Sequence, residues 1–377
     1  MSEKHEITED FRQQFSTEQV VPLERLVAVA SWLLNAGFSD AVISIDDSDI
    51  NNLYIVWHNG IWMYGDWKGG IWLSGIWRFG IWETGIWKDG FWETGIWKSG
   101  IWETGNWRNG IWESGYWYSG YWYSGTWKSG EWYRGKWNKG IWESGTWYDG
   151  EWHEGTWLDG LWHNGVRYIG DWYDGTWLNG RWYCGIWHNG KWKDGLWKDG
   201  YWYDGTWKNG TWQKGTWSSG RWKSGNWLNG TWDSGIWESG TWCNGDWSDG
   251  IWYSGIWKSG DWLDGVWESG LWESGIWRSG DWLDGGWYYG KWEDGIWYSG
   301  NWLGGYWLGG LWKKGKIMIN DYDKDTAMAR GIDRNPNIFD DTVMIYDVDI
   351  NPNIFIGKKL YLSFTKGNSK ENLSVSI

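Results

Sequence analysis

Residues 110–130 read G-IWESG-YWYSG-YWYSG-TWKSG. Trp returns every fifth residue, and Gly follows three places after each Trp. The pattern starts at Trp57 and holds to Trp312, with Arg167 in "GVRYIG" as its one break. Gly is unbroken at every fifth position from Gly60 to Gly315. The array and Trp32 together account for all 52 Trp of the 377-residue chain. That many exposed indoles would aggregate, so the pattern predicts that they are buried. Each buried Trp would contribute at least the ~2–3 kcal/mol of other large apolar side chains.

The residue before Gly is usually Ser, Asp, Asn or Thr, which is turn chemistry. The other positions suit a short extended segment. Each pentad therefore predicts three extended residues followed by a turn, and two architectures could use it. One is a long β-meander of very short strands, with "NG" and "DG" as hairpin turns. Its hydrogen bonding conflicts with the period. The first and third residues of a three-residue strand point their backbone groups the same way. They cannot serve turns on opposite sides. The other is a solenoid in which each pentad forms one side of a coil and coils stack about 4.8 Å apart. "TWLDG" at 156 returns as "TWLNG" at 176, and "DWLDG" at 261 returns at 281. These spacings favour four sides and a period of 20 residues.

The pentad resembles the pentapeptide-repeat family, whose fold is a right-handed, four-sided β-helix. In that family the central residue is Leu or Phe and points inward, as does a small residue two places earlier. The matching pair here is Trp112 and Gly110. Trp57 and Trp312, with Gly60 and Gly315, mark the ends of the array. Gly-x-Trp-x-Asn-Gly also looks like part of a MORN repeat, but the longer MORN period is absent. The expected fold is mainly β: a solenoid over 55–315, an αβ cap or anchor over 1–54 and a small β module over 316–377. The indole N–H groups would need acceptors. Turn carbonyls or the Ser, Asp and Asn side chains before Gly are the candidates. At Arg167 a charge inside an indole-lined interior would be costly. A local bulge is expected there, with Tyr168 or Ile169 filling the gap.

Both ends differ from the array. Residues 16–38 predict one helix, begun by Ser16 or Thr17, with Leu23, Leu26, Val27, Ala30, Leu33 and Leu34 on its apolar face and Gly37 at its end. "AVISI" (41–45) and "LYIVW" (53–57) read as strands. After Gly315, "KIMI", "VMIYDVDI", "LYLSF" and "LSVSI" also read as strands. "IDRNPNIF" (332–339) returns as "VDINPNIF" (348–355). Asp333, Asn335, Asn337 and Asp349, Asn351, Asn353 resemble half of a calcium loop, without its Gly and distal Glu. Structural turns are the expected reading, and no metal or other cofactor is assigned.

The net charge of −14 argues against binding a nucleic-acid backbone. Half of that excess lies in the first 50 residues, and the array mixes both signs. Cys184 and Cys243 suggest no disulfide framework. No leader is evident in "MSEKHEITED", and no apolar run reaches membrane-spanning length. His5, His58, His153, His163 and His188 form no catalytic pattern, and Glu103, Glu113 and Glu143 read as a solvated face. The sequence points away from an enzyme.

The Trp-Gly array resembles repeat proteins encoded among tailed-phage structural genes. That resemblance implies a virion fibre, spike or decoration component, made in the host cytoplasm. Its partners would be other virion proteins, further copies of itself through the end modules, or a surface glycan or protein receptor. Some pentapeptide-repeat proteins mimic DNA and bind gyrase, which gives a cytoplasmic alternative. A glycan-binding adhesin using Tyr116, Tyr118, Tyr121 and Tyr123 is a third.

Overall fold

The computed structural model describes residues 7–49, 53–273, 275–287 and 291–302. It also describes short strands at 306–307, 311–312, 314–319, 344–349, 362–363 and 374–375. The chain divides into two compact units, Met1–Lys191 and Trp192–Ile377. Both are built from the same coil.

Each pentad contributes a two-residue strand ending in Trp, such as Ile101–Trp102. Neighbouring residues on a strand face opposite ways. Trp faces in, and the residues on either side face out. Each strand pairs in parallel with the strand fifteen residues away: Ile101 lies beside Ile86 and Tyr116, and Trp102 beside Trp87 and Trp117. The same register runs through the second unit, where Trp237 lies between Trp222 and Trp252. The solenoid is confirmed and the meander is not. The coil has three sides and 15 residues, which corrects the expected four sides and 20.

The reason lies in what faces inward. A pentapeptide-repeat side is expected to fill its interior with two side chains. Here only Trp does so, because Gly occupies the corner. Gly110 has φ +126° and Gly105 has φ +124°, a region that L side chains rarely adopt. Three indoles then close directly on one another. Trp87, Trp92, Trp97 and Trp102 meet in sequence edge to face, with centroids 6.0, 6.1 and 5.8 Å apart. Between coils each indole lies nearly parallel to the next. Trp87–Trp102, Trp92–Trp107 and Trp97–Trp112 are all 4.7 Å apart, with planes within 7°. Both geometries are favoured aromatic arrangements, worth about 0.5–1.5 kcal/mol per pair beyond area burial. The Trp side chains described within the coils are all 0% exposed.

Backbone bonds tie the coils together at the same places. The Ile101 N–H donates to the Gly85 carbonyl at 2.9 Å, and the Glu103 N–H to the Trp87 carbonyl at 2.8 Å. The residue before Gly secures the corner in one of two ways. A serine reaches the coil before it, as when Ser114 Oγ donates to the Lys98 carbonyl at 2.8 Å. An aspartate accepts from the next residue, as when the Gly175 N–H donates to Asp174 Oδ1 at 2.7 Å. These side chains are therefore not the indole acceptors the sequence suggested. Trp77 does use a turn carbonyl, donating to Thr94 at 3.2 Å. The indole nitrogens of Trp102, Trp117 and Trp132 have no acceptor.

The first unit opens with helix α1 (Glu9–Arg12), helix α2 (Leu23–Val29), a 3-10 turn (Ser31–Asn35), strand β1 (Gly37–Asp46) and strand β2 (Tyr54–Tyr64). The expected single helix over 16–38 is therefore broken. Pro22 pushes the preceding residue away from helical backbone, so α2 starts after it. Ala30, at φ −140°, separates α2 from the 3-10 turn. Leu26, Val27, Ala30 and Leu33 are buried, as the apolar pattern predicted.

β2 runs along two sides of the first coil and pairs antiparallel with β1, with Phe38 opposite Trp62 and Ile43 opposite Trp57. The 3-10 turn packs on the third side, at Asp66–Trp67. Phe38 stacks on Trp62 with centroids 6.0 Å apart, and Trp32 meets Trp67 edge-on at 5.2 Å. Segment 14–19 covers the outer edge of β1. Gln19 Nε2 donates to the Ile43 carbonyl and its Oε1 accepts from the Ile43 N–H, both at 2.7 Å.

In the second unit Lys314–Ile319 takes the next place on a coil face, with Lys316 beside Asn301 and Ile317 beside Trp302. Met344–Asp349 pairs antiparallel with it. Leu362–Ser363 and Ser374–Val375 pair antiparallel as well. All four C-terminal strand predictions thus fall on strands.

A Cβ at Gly105 would lie 2.6 Å from the Gly90 carbonyl oxygen and 3.2 Å from the Trp87 indole nitrogen. Gly105→Ala should therefore lower stability by about 2 kcal/mol or more, combining steric overlap with the cost of left-handed backbone. A shift of the urea midpoint to lower concentration would show it.

Candidate functional site

Arg167 is the one buried charged side chain among the described residues, at 0% exposure. No bulge forms around it. Its strand keeps register on both sides, with Trp152 beside Arg167 and Arg167 beside Trp182. Tyr168 and Ile169 do not fill the gap, because they are 37% and 51% exposed. This corrects the expected bulge, and the cause is local. The Gly corners at 165 and 170 are intact, both at φ +122°, so the backbone has no freedom to shift a neighbour inward.

The guanidinium occupies the place of the missing indole. Its Cζ lies 4.0 Å from the Trp182 ring centroid and 5.9 Å from that of Trp152. A planar cation over an indole face is a favourable contact, worth about 2 kcal/mol when desolvated. Nη1 donates to the Gly170 carbonyl at 3.3 Å. Nε and Nη2 have no acceptor. Burial pushes its pKa down to about 9, opposed by the negative charge of Asp171. At neutral pH it stays cationic.

The outward positions form ladders, because equivalent residues on successive coils sit fifteen apart. One run reads Lys68, Glu83, Lys98, Glu113, Lys128, Glu143. Within it Lys68 Nζ lies 2.8 Å from Glu83 Oε1, Lys98 Nζ lies 3.6 Å from the same oxygen, and Lys128 Nζ lies 3.3 Å from Glu113. The hydrogen bond from Lys68 holds the Glu83 carboxyl below its ordinary range. Glu103 reaches Lys88 on another face. A second kind of ladder is aromatic. Tyr118, Tyr133, Tyr148 and His163 stack with centroids 4.8, 4.9 and 4.8 Å apart. Tyr133 Oη donates to Glu131 Oε2 at 2.8 Å, and Tyr148 Oη to the same oxygen at 3.5 Å. The Glu131 bond pushes the Tyr133 pKa up to about 12.

The remaining candidate residues are spread out. His153 and His188 lie in aromatic ladders, against Tyr168 and Tyr173. His58 lies 2.7 Å from Ser44 Oγ. Trp57 and Trp112 are in the core, and Gly60 and Gly110 have positive φ. Trp312 and Gly315 lie on described strands. Of the calcium candidates, Asp349 ends a strand opposite Lys314. Asp333, Asn335, Asn337, Asn351 and Asn353 lie outside the described residues. His5 does too. No helix of the described residues is long and apolar enough to cross a membrane. No protein-family model, curated protein or solved structure matches the chain.

Restoring the column should stabilise the protein. Arg167→Trp is expected to raise stability by about 1–4 kcal/mol, the usual range when a buried charge gives way to a well-packed apolar group. Arg167→Lys loses the planar stack and should lower stability by about 2 kcal/mol. Thermal unfolding of the two variants beside the parent protein checks both signs.

Proposed function

We propose that the chain is a non-enzymatic structural protein, a component of a phage virion such as a fibre, spike or decoration. In this reading the coils are a stiff scaffold. One end module attaches to the particle and the other is displayed, to a receptor or to further copies of the chain. The observation that carries it is the use of the pentad. Every inward position described is filled by Trp or by Arg167, and the coil corners from Gly65 to Gly285 all carry Gly at positive φ. A core so uniform leaves sequence variation to the outward faces and the two ends.

The other two readings draw less support. A DNA mimic needs a surface of one sign, but the ladder from Lys68 to Lys128 alternates charge and pairs it internally. A sugar-stacking adhesin needs free aromatic faces. The core indoles are buried and the Tyr118 ring lies against Tyr133; of the four tyrosines named for this reading, Tyr116, Tyr121 and Tyr123 are exposed.

The test is the composition of purified particles. Virus particles banded from the source culture should contain peptides of this chain at fixed copy number by mass spectrometry. Recovery in the soluble lysate alone would overturn the virion reading.

A further inference from the structure

The core is a set of π-stacked columns of an oxidisable side chain, and an aromatic ladder lies just outside it. Trp117, Trp132 and Trp147 stack in one column, with centroids 4.7 and 4.8 Å apart and planes 6° apart. Neighbouring columns touch edge to face, as at Trp127–Trp132, 5.9 Å apart. A missing electron on one indole thus has close neighbours along its column and across to the next.

The surroundings of the indoles decide what such a hole can do. An oxidised indole becomes strongly acidic at its N–H and is trapped as a neutral radical once it loses that proton. The nitrogens of Trp117, Trp132 and Trp147 are buried and face no acceptor. With no base beside the nitrogen, loss of that proton is disfavoured, and the hole can pass to a neighbouring indole.

A phenol behaves in the opposite way. It gives up an electron readily only when its proton can leave at the same time. Tyr133 follows Trp132 in the chain, on the outward side of the same coil side. Its hydroxyl donates to Glu131 Oε2 at 2.8 Å, and Tyr148 donates to the same oxygen at 3.5 Å. Tyr118 and Tyr148 flank the Tyr133 ring, with centroids 4.8 and 4.9 Å away. One carboxylate therefore serves as proton acceptor for two rings of a stacked triad.

We propose that the indole core and the Tyr118–Tyr133–Tyr148 ladder form a hole-transfer relay that carries one-electron oxidation out of the core and ends it on Tyr133. The substrate class is any one-electron oxidant able to take an electron from an indole. The closing step is balanced. An electron passes from Tyr133 to the indole radical cation, and the phenolic proton moves from Tyr133 Oη to Glu131 Oε2. The products are a neutral indole, a tyrosyl radical and a protonated Glu131. Arg167 breaks one column with a fixed positive charge, which repels a hole from the indoles beside it, Trp152 and Trp182.

The test starts the hole inside the core of the full-length chain. Light absorbed by indole but not by phenol photoionises tryptophan; dissolved nitrous oxide captures the ejected electron, and tert-butanol scavenges the hydroxyl radical which that capture releases, so that no tyrosine is oxidised from solution. Transient absorption and electron paramagnetic resonance then follow the two radicals, with ring-deuterated tyrosine to separate them. In the native chain a tyrosyl signal should grow as the indole radical cation decays. Tyr133→Phe keeps the stacked ring but removes the transferable proton, and Glu131→Gln removes the base. Each should abolish most of the tyrosyl signal and prolong the indole signal. Tyr123→Phe, an exposed tyrosine outside the triad, should leave both unchanged. Circular dichroism of the aromatic bands shows whether each variant keeps the indole stack. A folded Glu131→Gln or Tyr133→Phe variant with an undiminished tyrosyl signal would overturn the proposal. So would a native chain in which the indole radical decays with no tyrosyl product.

Discussion

Everything in the coils depends on the contact between one indole and the indole fifteen residues on. Trp87 and Trp102, 4.7 Å apart and 5° from parallel, represent it. That contact fixes the coil length, because residues stacked in register must recur at whole coils. It fixes the backbone too. The Gly85 and Trp87 carbonyls take their partners from residues 101 and 103 only when the two tryptophans coincide. Large apolar rings supply the burial, and glycine supplies the corner that lets three of them meet. Neither works alone. A side chain at the corner would strike the carbonyl before it, and a smaller inward residue would leave the axis of the coil unfilled.

A parallel stack has two open edges, and exposed strand edges invite further pairing. The chain meets this with antiparallel strands. β1 crosses two sides of the first coil while the 3-10 turn covers the third, and the Gln19 amide mimics one more strand on the outer edge of β1. In the second unit Met344–Asp349 lies antiparallel on the strand that extends a coil face. Phe38 and Trp32 give the first coil the aromatic surface that a further coil would have offered.

Much of this was legible in the residues. The five-residue period, inward Trp, turn-forming Gly and parallel stacking all follow from spacing and residue type. The number of sides did not follow, because the pentads are so alike that matches at 20 residues arise by chance whatever number of pentads makes a coil. The decisive signal was in the outward positions. Lys68, Glu83, Lys98, Glu113, Lys128 and Glu143 alternate in sign at a spacing of 15, and charges alternate that way when they are neighbours on adjacent coils. Arg167 was misread for a related reason. The cost of a buried charge was weighed without the two indole faces that the register places above and below it. The helix over 16–38 looked continuous because its apolar pattern is correct, while Pro22 and the turn at Ala30 act through backbone geometry that a pattern of side chains does not record.

The same register that builds the core also makes the surface. With equivalent outward residues about 4.8 Å apart on neighbouring coils, each side chain is chosen against the one before it. Tyrosines stack, and lysines alternate with glutamates. Isolated surface ion pairs add little stability, and a stack of exposed rings adds less than the buried one beneath it. Their contribution is one of registration. A slip by one pentad would set like charges side by side and separate the Tyr118–Tyr133–Tyr148 rings, although every Trp except those brought against Arg167 would still find another Trp. The uniform core holds the coils together without specifying which coil follows which, and the varied surface supplies that missing information.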